Sequence, residues 1–332
     1  MKSKLYTKEE VIDFINAGRI MLLTGSEKAL TGLPKGNWIA GTSLYVVDYE
    51  GKCEEEKIFV DDFTLIAKNC KVAVYDKNNI KDIAINGFDN GFAVITMPID
   101  SEVYHEFSIN ALSFDYMFKN PVVGYVAATK FEDYGKKSPK TSSGLDGNLT
   151  SDLAVVLYVE LPDYLTARAE IENFDTIDEN TPEIVFPKDG FTQSECTIDG
   201  KLGNIADYFE NVVKPKLGGY TQMITSQNGA LINRDVKIVD TQKGEVTFFS
   251  PAYAGDKYHL VKNGADYLKM FNDKLGSKRS DIATCFSCVS YFFGGNFEGR
   301  HVVKNGVYAF GEIAYQLLNK TIVTLEIDRV AM

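Results

Sequence analysis

The apolar residues of this chain come in short runs of strand length, rich in β-branched and aromatic side chains and separated by glycine, proline, asparagine and aspartate. A chain spaced in this way is not a helical bundle or a coiled coil; it has to build sheets. Residues 153–161 are almost wholly apolar apart from Glu160, as in a strand covered on both faces, and Pro162 stops the run. Residues 38–47 read as another strand, with Glu50-Gly51 placed to turn it back into residues 56–60 as a hairpin. Further strands are expected at 19–23, 71–75, 92–96, 122–128, 195–198, 246–249, 282–286, 307–310 and 321–327. Asn228-Gly229, between residues 222–226 and 231–239, is a two-residue hairpin signal.

Helices punctuate these strands. Thr7 can cap the first, with Glu10 closing a capping box, Val11, Phe14 and Ile15 forming its apolar stripe, and Gly18 ending it. Asp100 or Ser101 can cap a second that runs to about Met117; residues 202–213 and 265–275 carry two more. The expected fold is therefore mixed α/β (α+β), with two sheet-containing lobes and flanking helices. Residues 130–151 are polar, with no sustained hydrophobic period, so the lobe boundary is placed there, giving lobes 1–150 and 151–332.

The charge balance excludes some partners. With 46 acidic against 35 basic side chains the net charge is −11, which repels a phosphate backbone, so nucleic acid is not an expected partner. No stretch approaches the ~20 apolar residues of a membrane span, and the N-terminus lacks a secretory h-region. Cys53, Cys70, Cys196, Cys285 and Cys288 are odd in number and irregular in spacing, which reads as reduced thiols in a cytoplasm.

Nucleotide-loop, dinucleotide, nucleophile-elbow and zinc-helix motifs are all missing, and His105, His259 and His301 are too far apart in sequence to make a metal motif. The sequence thus assigns no catalytic residue, metal or cofactor and leans away from an enzyme. Cys285 and Cys288 form a lone C-x-x-C on an apolar strand, where small buried hydrophobes outweigh a redox pair or half a zinc site. Gly294-Gly295 and Gly299 read as a tight turn ahead of an anion-holding nest. Gly311-Glu312 stands where a strand hands over to other structure, a place for a carboxylate to bind an amine or cap local amides.

Three pieces of the tail carry a family resemblance: Phe286-Ser287-Cys288, then Phe310-Gly311-Glu312-Ile313, then Asn319-Lys320-Thr321. In order and spacing they resemble the C-terminal FIST domain, and Gly41-Thr42-Ser43 at the end of an apolar strand is similar to the family's first domain in outline. FIST domains are regarded as sensory modules for small ligands, amino acids or related metabolites among them. The resemblance implies a stand-alone cytoplasmic ligand-binding protein that signals through a partner protein. It implies Glu312 for a ligand amine, Gly311 and Gly41 for backbone contact, and Thr42, Ser43 and Asn319 for hydrogen bonds, with Cys288 in the same set. Two other readings stand beside it: an enzyme with Cys288 as nucleophile and Glu312 and His301 as acid and base, and a structural protein that assembles as a homodimer through sheet edges.

Overall fold

The computed structural model describes residues 3–217, 221–227, 229–262, 266–277 and 281–330. After β1 (Lys4–Tyr6), Thr7 caps α1 (Lys8–Asn16) as its sequence demands. The Thr7 hydroxyl accepts from the Glu10 amide at 3.3 Å and the Glu10 carboxylate accepts from the Thr7 amide at 2.8 Å. β2 (Met21–Gly25), α2 (Glu27–Leu30) and β3 (Trp38–Thr42) make a β-α-β unit in which β2 and β3 run parallel, Met21 beside Trp38.

The apolar run 38–47 is not one strand. It breaks after Thr42, and β4 (Tyr45–Asp48) joins a different sheet from β3. β5 (Glu50–Cys53) folds back on β4 through Tyr49, whose φ is +69°, so the turn falls ahead of the expected Glu50-Gly51. β6 (Ile58–Asp62) pairs with β1 and β2 instead of with β4. β7 (Asn69–Tyr75), β8 (Gly91–Pro98), α3 (Glu102–Asn110) and β9 (Val122–Ala127) follow, with β8 and β9 parallel. Ser101 caps α3, which stops at Asn110, short of Met117, where residues 111–113 tighten into a turn. β10 (Thr141–Ser143) lies inside the polar interval and pairs with β3; β11 (Ala154–Glu160) is flanked by β7 and β8 as its apolar run requires, and β12 (Leu165–Glu172) follows.

The next strands are β13 (Ile184–Val185), β14 (Gly190–Gln193), β15 (Glu195–Ile198) and β16 (Lys201–Asn204). α4 (Ile205–Tyr208) continues through a π-helical turn into α5 (Lys214–Leu217). β17 (Met223–Gln227) and β18 (Ala230–Arg234) form the expected hairpin, Gln227 opposite Ala230; Asn228 of its turn lies outside the described residues. β19 (Val236–Asp240), β20 (Glu245–Ala252) and β21 (Lys257–Leu260) complete this stretch. α6 (Tyr267–Gly276), β22 (Asp281–Cys288), α7 (Val289–Gly294), β23 (Gly306–Ala309), β24 (Glu312–Ala314), β25 (Gln316–Leu318) and β26 (Ile322–Arg329) form the tail.

The fold is mixed α/β with several mixed sheets, and it divides into two units. The first joins Met1–Ile171 to Asp266–Leu317 and Ile322–Met332; the second is Glu172–Ala265 with Leu318–Thr321. The division therefore does not fall near residue 150. In the first unit one sheet has the order β12-β26-β22-β23-β4-β5, so strands from the tail complete a sheet that the N-terminal residues begin. Its other two sheets are β1-β6-β2-β3-β10 and β25-β24-β9-β8-β11-β7. The second unit holds the sheets β16-β15-β13-β21-β17-β18 and β14-β20-β19 around its own core, which includes Phe186, Phe209, Met223, Phe248 and Tyr258.

Candidate functional site

Two parallel strand pairs, β2 with β3 and β8 with β9, set the location of the site. In open α/β sheets the crevice outside the carboxyl ends of parallel strands is where loops diverge and ligands fit. In the first unit a cleft of about 470 Å³ opens there, lined by residues that follow or end β2, β3 and β9. Ser26, Lys28, Thr42, Glu55, Lys130 and Lys137 are among its walls. Backbone bonds hold the strand ends together: the Ala128 amide donates to the Thr42 carbonyl at 2.7 Å and the Ser43 amide to the Gly25 carbonyl at 3.2 Å. The Thr42 hydroxyl accepts from the Lys140 amide at 2.9 Å.

The rim is a mosaic of both signs. Lys130 pairs with Glu55 at 3.1 Å, Lys137 with Asp133 at 2.7 Å and Lys28 with Glu56 at 2.9 Å. Hydrogen bonding to Glu55 raises the Lys130 pKa, and bonding to Asp133 does the same for Lys137, so both are cations at neutral pH. Exposed pairs of this kind contribute little stability, so an incoming charged group can exchange with them at small expense.

A buried hydroxyl network underlies this end of β3. The Tyr125 hydroxyl donates to the Gly41 carbonyl at 2.8 Å and lies 2.8 Å from Thr24 Oγ1. A phenol has one proton, so Thr24 is the donor in the second bond. Gly41 has to be glycine, because a Cβ there would stand 2.4 Å from Thr96 Oγ1 and 2.8 Å from the Tyr125 oxygen. Asp61 is buried nearby in charge terms: its carboxylate helps to raise the Tyr125 pKa, after burial itself. Burial pushes the Asp61 carboxyl up to about 7 against the lowering effect of the Ser3 hydrogen bond and the nearby Thr284 hydroxyl.

The residues singled out by sequence are all buried, and they do not converge on the cleft. Thr42 lines it. Gly41, the preceding residue, sits on the hydroxyl network, and Ser43 Oγ donates to the Tyr308 carbonyl at 2.8 Å. Gly311 accepts from the Val126 amide at 2.8 Å, and Glu312, 0% exposed, stands opposite Tyr125 across β24 and β9. Cys288 ends β22, and Ser290 Oγ donates to its sulfur at 2.8 Å. Asn319 belongs to the second unit, next in sequence to Lys320, which makes a buried 3.1 Å ion pair with Asp175.

Other motifs resolve locally. Cys285 and Cys288 are three apart on a strand, so their side chains leave opposite faces and do not form a working pair. His301 Nδ1 lies 3.0 Å from the Tyr49 carbonyl, and no observation favours a thiol nucleophile at Cys288. The amides of Gly295, Asn296, Phe297, Gly299 and Arg300 all donate to backbone carbonyls, which makes the glycine cluster a turn. Among the described residues no group of three or more His, Cys, Asp or Glu gathers as a metal site, and no helix is long and apolar enough to cross a membrane. Sequence reasoning passed over Lys28, Lys130, Lys137 and Tyr125. Their common signal, the carboxyl end of parallel strands, depends on a pairing direction that apolar runs do not encode.

Comparison with known proteins adds the family without a function. No curated protein and no solved structure matches the chain. Its residues 6–328, nearly the whole length, match the model of DUF6976, a family of unknown function, and the chain belongs to that family.

Proposed function

We propose that this protein binds a small polar ligand in the cleft at the carboxyl ends of β2, β3 and β9. The observation that carries the reading is the placement of Thr42, in the step that resembles FIST domains, on the wall of that cleft beside Lys28 and Lys130. The mixed rim charges fit a ligand that carries an acid and an amine, such as an amino acid or a related metabolite. In this reading the protein is a FIST-type sensor in the cytoplasm, and a partner protein receives the ligand-bound state. No disulfide forms among its five cysteines, which is compatible with a reducing compartment.

The test is a thermal-shift screen of amino acids and related metabolites, because ligand at a hundredfold its Kd adds about 2.7 kcal/mol of stability. Lys130→Ala and Thr42→Val should each weaken a hit by about tenfold, which is one charged contact or one hydrogen bond in binding terms. A screen without hits, or a hit that both variants bind as tightly as the parent, would sink the assignment.

A further inference from the structure

One charged side chain is sealed inside the core of the second unit. Arg234 ends β18 and is 0% exposed. Strand pairing sets Arg234 opposite Met223 and Met223 opposite Leu260, so the arginine shares a sheet face with two members of that core. Its Nη1 donates to the Asn233 carbonyl at 3.0 Å, while Nε and Nη2 have no hydrogen-bond acceptor. Among the described residues no carboxylate forms an ion pair with it. The guanidinium lies 5.4 Å from the centre of the Tyr253 ring. The neighbouring Tyr258 hydroxyl, close enough for the guanidinium to offset part of the pKa rise that burial causes, accepts from the Tyr253 amide at 2.9 Å and donates to Asp256 at 3.4 Å.

Two more polar atoms are in the same condition. Ser250 alternates along β20 with Val246, Phe248 and Ala252, which are core residues, and Gln193 stands opposite Val246. Ser250 Oγ and Gln193 Oε1 are buried without a partner. Both therefore face the core that holds Arg234.

A guanidinium does not shed its proton in proteins, so burial cannot neutralise it as it can a lysine or a carboxyl. A buried cation without a counter-charge is strongly unfavourable. The pair of donors left over is also specific. Nε and Nη2 lie side by side in the guanidinium plane and point the same way, the fork that takes two oxygens of a carboxylate or phosphate at once. We propose that Arg234 anchors an oxyanion site in the second unit, receiving the carboxylate or phosphate group of a small ligand on its Nε–Nη2 fork, with the Ser250 hydroxyl as a further donor on the same core. The inference is independent of the reading of the cleft.

Calorimetric titration of the full chain with sodium acetate and with sodium phosphate, at constant ionic strength and with sodium chloride as reference, tests it. Saturable binding of either oxyanion is expected in the parent protein. Acetate alone would identify a carboxylate ligand, phosphate alone a phosphorylated one. Arg234→Met should abolish the signal, and Arg234→Lys, which keeps the charge and loses the fork, should weaken it by at least about tenfold. If Arg234→Met does not fold, the lysine variant decides. Absence of saturable binding by both anions, or undiminished binding by whichever variant folds, would overturn the proposal.

Discussion

A carboxyl group surrounded by hydroxyls instead of cations keeps its proton to unusually high pH, and Asp61 is such a group. It is 1% exposed on β6, with Ser3 as its hydrogen-bond donor and the Thr284 hydroxyl nearby. Desolvation raises its pKa from the ordinary 3.8 to about 7 and outweighs the lowering effect of both hydroxyls. The folded protein therefore holds a proton that the unfolded chain releases between about pH 4 and about pH 7. The stability tied to that proton is fully present below about pH 4 and is lost as pH rises towards about 7, amounting to about 4 kcal/mol. Asp61→Asn keeps the shape and removes the titration. Denaturant unfolding at about pH 5 and about pH 8 should show the parent losing stability over that interval relative to the variant, which should be the more stable at the higher pH by up to about 4 kcal/mol. Parallel pH profiles for the two proteins would mean that the folded carboxyl is ionised throughout.

At the scale of elements, the features written in a few adjacent residues can be read from sequence. The Thr7 and Glu10 capping box forms as its spacing demands, and Thr7→Ala should cost about 1 kcal/mol in chemical denaturation. Because each partner needs the other, Thr7→Ala combined with Glu10→Ala should lose less than the sum of the single changes; strict additivity would show that the two bonds act separately. The Gln227 to Ala230 hairpin and the apolar strand β11 were legible for the same reason, since turn chemistry and continuous burial leave local marks. What was illegible is where a continuous apolar run turns a corner. Residues 38–47 are strand-forming on either side of the Gly41-Thr42-Ser43 step, yet β3 pairs with β2 and β10 while β4 pairs with β5 and β23. Composition is the same on both sides of that corner, so only the partners, hundreds of residues away in the case of β23, distinguish them. The cleft inherits this limit: Thr42 was visible as the end of an apolar run, whereas Lys130 and Lys137 gain their meaning only from the neighbours that pairing gives them.

The partners supplied by the tail also decide how the whole molecule must fold. β4 hydrogen-bonds to β23 on one side and β5 on the other, and β23 continues through β22 to β26. In the same way β9 pairs with β24 of the tail. An isolated stretch of residues 1–150 would therefore present β4 and β9 with open edges and lose the apolar cover that β22, β23 and β26 provide, while keeping the α1 capping box and the β2 to β3 unit. It would also lack β11, which fills the gap between β7 and β8. Local propensity survives such a cut and cooperative packing does not, because helices and hairpins of this length are marginal in water without tertiary contacts. The prediction is a fragment with strand and helix signal in far-ultraviolet circular dichroism but a broad, non-cooperative urea transition and rapid amide exchange, beside a sharp transition for the full chain. A sharp two-state transition for residues 1–150 would show that the N-terminal strands are self-sufficient, and that the tail docks on a finished domain instead of completing its sheets.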